Sequence, residues 1–210
     1  MACSSYGIAC YFKGLFDEAE NSILQGITFC EKTAQLGWRA WASGFLGHMY
    51  SHMGEYDKAQ DYFKKGISTL ERARIYPFWV NMWKVSIARS KVLNNDRDIN
   101  LDEVFEYYEN INAEVVKGWT ARYLGEILLN IDDQNISEAE DWIKKAIEAN
   151  KSNSMMWQLG RDYRLYTDLF KRKGDQFKAK EKLVKAIDIL NECGADGWVK
   201  KYEKSLKDSL

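Results

Sequence analysis

The chain has 210 residues, 46% hydrophobic and 29% charged, with a formal net charge of −1, an ordinary globular balance. A near-neutral total excludes the broad basic field that nucleic acid or an anionic membrane selects, and no apolar run nears the roughly 20 residues of a membrane span. Proline is used once, at Pro77, against an average usage of about 5%, which predicts a chain that is almost all helix.

The opening segment MACSSYGIACYFKG lacks the charged start and long apolar centre of a signal peptide. Four cysteines, Cys3, Cys10, Cys30 and Cys193, form no Cys-x-x-Cys pair. They are expected as free thiols, and the chain as cytoplasmic.

Two rulers divide the sequence. Trp38, Trp79, Trp119, Trp157 and Trp198 recur at intervals of 41, 40, 38 and 41 residues. Between them, Ala19, Ala59, Val104, Ala139 and Ala179 each sit in a similar amphipathic phrase, from LFDEAENSILQGI to QFKAKEKLVKAI. Two residue types keeping one period identify internal repeats. Each repeat reads as a helix near the tryptophan, a tight turn, and a second helix near the small residue.

The first repeat, about 1–36, breaks at KGLF, where glycine suits a left-handed cap. In the second, about 37–76, Ala59, Tyr62, Phe63, Gly66, Ile67 and Leu70 recur at helical steps, with Asp57, Lys58, Gln60, Lys64 and Lys65 opposite. The third, about 77–116, is the weakest: Val104 replaces alanine and NNDRDIN makes a long break. In the fourth, about 117–153, Asn135 or Ser137, followed by Glu138 and Glu140, would cap and charge a helix start. The fifth, about 154–194, turns at KGDQ, and a polar helix over 195–208 would close the array. The expected fold is an all-α, right-handed α-α superhelix: a single solenoid domain of about five repeats with a C-terminal capping helix. With a bare first helix and a capped last one, it reads as a fragment of a longer chain.

The stretch LGHMYSHMGEYDKAQDYFKKGI resembles a tetratricopeptide repeat unit through Leu46, Gly47, Tyr50, Gly54, Ala59, Phe63 and Gly66. The pattern returns with Gly7, Gly14, Ala19 and Gly26, with Leu124, Gly125, Ala139 and Ala146, and with Gly174, Ala179, Leu183 and Ala186. The family's usual unit has about 34 residues, so the second helices here are expected to run longer. The period and the ending LNECGADGWVKKYEKSL are also similar to helical tails of large bacterial signalling proteins, which follow a cyclase or kinase domain and an ATPase domain. The family's clamp for carboxylate-terminal chaperone tails needs a lysine and asparagines where this chain has Ser4, Ile8, Gly44 and His48. That role is disfavoured.

No catalytic constellation emerges. His48 and His52 have metal-pair spacing, but Met49 stands where the glutamate of a metalloprotease helix belongs, and no third histidine exists. Phosphate-binding glycine loops are absent, and the periodic tryptophans read as inter-repeat packing. Neither enzyme activity, cofactor nor metal is expected. What remains is a surface on the first helices, comprising Trp41, Gly44, His48, Ser51 and His52, then Met82, Val85 and Arg89, then Arg122 and Glu126, then Arg161, Arg164, Asp168 and Arg172. Arginine forks suit carboxylates. A protein or peptide segment, acidic beside an apolar anchor, is the expected partner; equally, these arginines could pair with Glu126, Asp162 and Asp168. A spacer or homodimerising element using the N-terminal face, and a small-molecule sensor, are the competing readings.

Overall fold

The computed structural model describes residues 2–207. Eleven α-helices and one 3-10 turn occur among them: α1 Ala2–Lys13, α2 Phe16–Lys32, α3 Leu36–Met53, α4 Tyr56–Ala73, α5 Pro77–Leu93, α6 Leu101–Glu109, α7 Glu114–Ile131, the turn Asp133–Asn135, α8 Ile136–Ser152, α9 Met156–Arg172, α10 Gln176–Glu192 and α11 Asp196–Lys207. They form two compact units, Met1–Asn112 and Ala113–Leu210. Each unit is an all-α, solenoid-like series of helical hairpins.

Local chemistry sets the helix ends. Gly54 closes α3 at φ 84° in the left-handed region, its N–H directed at the Tyr50 and Ser51 carbonyls, a conformation that disfavours any side chain with a Cβ. Asp175 accepts a hydrogen bond from the Lys178 N–H at the start of α10. At α8, Asn135 occupies the cap position but makes no side-chain capping bond. Asp132 instead accepts from the Gln134 N–H, so the preceding 3-10 turn takes over the capping expected of Asn135 or Ser137. Helices α2, α4, α8 and α10 have 17 or 18 residues, whereas α6 has nine. The weak third repeat is therefore a truncated one.

Within a hairpin the helices meet almost backbone to backbone. A Cβ on Gly7 would lie 2.7 Å from Ile23 Cγ1 and 2.9 Å from the Ala19 carbonyl; on Gly125 it would lie 2.9 Å from Ile143 Cγ1 and 3.2 Å from the Ala139 carbonyl. Gly47 receives the Phe63 ring, whose Cδ1 would be 2.7 Å from an added Cβ. Ala19, Ala59 and Ala139 are completely buried at these crossings. Between hairpins, the Trp83 ring of α5 lies on Gly44 of α3 and Gly66 of α4, 2.2 Å and 2.8 Å from where their Cβ atoms would be.

Polar ties cross the same junctions. The Tyr50 hydroxyl of α3 donates to Glu20 of α2, and the Tyr166 hydroxyl of α9 donates to Glu140 of α8 at 3.0 Å. Burial pushes the Glu140 carboxyl up, but hydrogen bonds from Lys173, Lys144 and Tyr166 outweigh it and hold the group at about 2.

The wedge at Trp83 has a direct test. Gly44→Ala is expected to lose about 1–3 kcal/mol by overpacking, measured by urea unfolding. Gly37→Ala, whose Cβ would meet Tyr76 and Ile75 at an ordinary 3.6–3.7 Å, is expected to leave stability unchanged or slightly raised. Equal responses at the two glycines would contradict this packing.

Candidate functional site

In the first unit, the start of α3, the end of α4 and the start of α5 enclose a cavity of about 250 Å³. It is lined by Gly37, Leu70 and five rings, Trp38, Trp41, Tyr76, Trp79 and Trp83. Spacing on the helices brings the rings together: Trp38 and Trp41 are three apart on α3, Trp79 and Trp83 four apart on α5, so each pair shares a face. Trp41 stands edge-on to Trp38 at 5.2 Å and to Phe45 at 5.0 Å, and Trp79 is stacked on Trp83 at 5.8 Å. Trp83 is only 1% exposed, while Trp38 is 37% and Tyr76 52% exposed. The cavity thus has a fixed floor, an open mouth and no charged wall.

Tyr76 reaches the mouth because its backbone is left-handed, φ 51°, immediately before Pro77. Such a conformation is uncommon for a bulky residue and turns the ring outward over the start of α5.

The other surface residues expected in this unit divide. His48 is 1% exposed, edge-on to Phe63 of α4 at 4.8 Å and to Phe45 at 6.0 Å. His52 is half-buried, stacked 5.8 Å from Tyr11 of α1, with its Nδ1 2.9 Å from the tyrosine oxygen. The two imidazoles therefore engage different neighbours. Among the described residues, no group of three or more His, Cys, Asp or Glu is placed to hold a metal ion. Met82 and Val85 are fully buried, and Arg89, 4% exposed, donates to the Ser51 hydroxyl at 2.6 Å. This part of the expected surface faces the neighbouring hairpin.

In the second unit Arg122 is also interior. Its Nη1 meets Asp162 Oδ1 at 2.9 Å and the Gln158 carbonyl at 3.1 Å, and its Nη2 meets Gln158 Oε1 at 2.8 Å. Asn150 of α8 donates to the other Asp162 oxygen at 2.7 Å, so one carboxylate ties α7, α8 and α9. Burial pushes the Asp162 carboxyl up, while Arg122 and Asn150 pull it back. Arg172, at the end of α9, bridges Asp133 at 3.2 Å and Asn130 at 3.1 Å. Arg164 pairs with Asp168, and Arg161 donates to the Tyr202 hydroxyl at 2.7 Å. Local pairing accounts for Arg122, Arg164 and Arg172; Arg164 and Arg172, like Arg161, stay partly open.

Sequence reasoning missed Trp38, Tyr76 and Trp79 as a site. The signal was present: Trp38 and Trp79 sit one period apart, each with a second tryptophan on the same helix face. Lys201 and Tyr202, read as part of a polar cap, were missed beside Arg161.

No helix among the described residues is long and apolar enough to cross a membrane. Residues 42–69 match the tetratricopeptide repeat family model; repeats of this kind generally mediate protein–protein contacts without catalysis. No curated protein matches the chain significantly. Among solved structures it is similar to a Signal Transduction ATPase with Numerous Domains (STAND) protein with a tetratricopeptide repeat sensor from Pyrococcus horikoshii, with a TM-score of 0.54 and 15% identity. The match covers 99% of this chain and 31% of that one. The likeness is one of fold, and the chain spans about a third of that protein's length.

The buried carboxylate gives a test of the second unit. Asp162→Ala strands Arg122 and is expected to cost about 3–5 kcal/mol in urea unfolding. Replacing both by leucine should cost less than Asp162→Ala alone. A double variant worse than either single one would contradict the pairing.

Proposed function

We propose that the chain is a non-catalytic protein-binding module that serves as the sensing arm of a larger cytoplasmic signalling ATPase. The aromatic cavity of the first unit is the observation that supports this most. Water-exposed tryptophans around a fixed floor are costly to solvate and are released from water by an inserted apolar side chain, at roughly 25 cal/mol per Å² of apolar surface covered. Large aromatic residues in desolvated pockets dominate binding energy at protein interfaces. The expected ligand is a partner segment with one large apolar anchor. In the second unit, Arg161 and Arg164 offer charge-assisted hydrogen bonds to acidic residues. The likeness to part of a STAND protein with a repeat sensor supports the signalling context.

Random-peptide display against the full chain tests the reading. Enriched peptides should share a large apolar residue and bind at least about tenfold more weakly to Gly37→Leu, which fills the cavity from its wall, and to Trp79→Ala. Arg172→Gln, far from the cavity in sequence and already paired, should bind as the wild type does. Charge reversal at Arg161 and Arg164 that leaves every selected peptide unaffected would remove the acidic component. Enriched peptides indifferent to the cavity variants, with a sedimentation coefficient rising with concentration, would favour self-association instead.

A further inference from the structure

Three cations converge on two buried rings in the second unit. The Arg161 guanidinium lies 4.1 Å from the centre of the Trp198 ring, and the Lys201 ammonium lies 5.7 Å from the same centre. Arg161 and Arg164 lie 5.9 Å and 5.6 Å from the centre of the Tyr202 ring. Trp198 is 1% and Tyr202 3% exposed, so the rings form an immobile base beneath the charges. Arg161 is held twice, over the Trp198 ring and through Nη1 to the Tyr202 hydroxyl at 2.7 Å. Its Nε is buried with no hydrogen-bond partner among the described residues. The Arg164 side chain is 25% exposed, and Lys201 is an exposed residue whose ammonium is partly desolvated near the Trp198 ring.

The carboxylates around this cluster are engaged. Asp168 is bonded to Arg164, Asp162 to Arg122 and Asn150, and Glu126 acts on Arg164 electrostatically. Burial first, and then Arg161 and Arg164, hold the Lys201 ammonium below the usual lysine range. Like charges held this close on a rigid base repel one another, and a bound anion relieves the repulsion.

We propose that Arg161, Arg164 and Lys201 form a binding site for the phosphate group of a phosphorylated ligand. A planar carboxylate satisfies one guanidinium fork, whereas a tetrahedral dianion presents oxygens to two forks and an ammonium together. The site shares the arginines of the acidic-segment reading above but does not depend on the aromatic cavity, so either can fail alone.

Calorimetric titration of the full chain with a phosphoserine tripeptide, glucose 6-phosphate, sulfate and acetate at constant ionic strength is the test. Both phosphates and sulfate should bind, acetate much more weakly, and Lys201→Gln and Arg164→Gln should each weaken the phosphates at least about tenfold. Both replaced side chains are at least partly open to solvent, and thermal unfolding of each variant checks its fold. Because the phosphoserine group loses its second charge below about pH 6, its binding should weaken from about pH 7.5 to about pH 5 while that of sulfate holds. A stronger response to the tripeptide assigns the phosphate to a protein partner, and to the sugar phosphate, a metabolite; either supports the site. No phosphate binding, acetate binding as tight as phosphate, or indifference to both substitutions would overturn it.

Discussion

Everything in this molecule depends on helices approaching closely at small residues. Gly7, Gly47 and Gly125 let the facing helix come so near that a methyl group would collide with Ile23, Phe63 or Ile143. Ala19, Ala59 and Ala139 bury completely at the same crossings. These crossings are filled by Ile23, Phe63 and Ile143, and the larger indole rings sit at the junctions between hairpins. There the tryptophans collect. Trp83 on Gly44 and Gly66 is the clearest case: a ring too large for the hairpin interior, seated over two glycines that lack the atom to repel it.

That arrangement explains how one residue type takes two roles. Trp119 and Trp198 are enclosed and hold neighbouring helices together, and Trp83 is the buried floor of the cavity. Trp38, Trp41 and Trp79 occur at the same kind of junction, but their outer faces open onto a cavity. In the second unit the junction is charged instead. Arg122, Asp162, Gln158 and Asn150 form an interior network, and the next cations outward, Arg161 and Arg164, lie on the rings of α11. The binding surfaces are the unfinished edges of the packing scheme.

Much of the fold was legible because its period is carried by two residue types. The tryptophan and alanine rulers gave the helical hairpins, the glycine-ended turns appear at Gly14, Gly54 and Gly174 with positive φ, and Val104 with the long NNDRDIN break marked the helix that proves short. The outward face was much less legible. A first helix in a hairpin series touches its partner, the hairpin before and the hairpin after, so a polar residue off the main apolar stripe can still be interior. His48, Arg89 and Arg122 were placed on the open surface by helical phase, yet each is directed at a neighbouring hairpin or helix. No spacing rule separates a third packed face from an exposed one. Asn135 shows the same limit at a helix end, where an unanticipated 3-10 turn displaced its capping role.

The division between enclosed and open tryptophans can be observed directly. With 5-fluorotryptophan at all eight tryptophan positions, fluorine NMR reports each ring separately once single Trp→Phe variants assign the signals. Titration with a display-selected peptide carrying an apolar anchor is predicted to shift Trp38, Trp41 and Trp79 while Trp119 and Trp198 hold their positions. Shifts centred on the enclosed rings, with those three unmoved, would contradict the account.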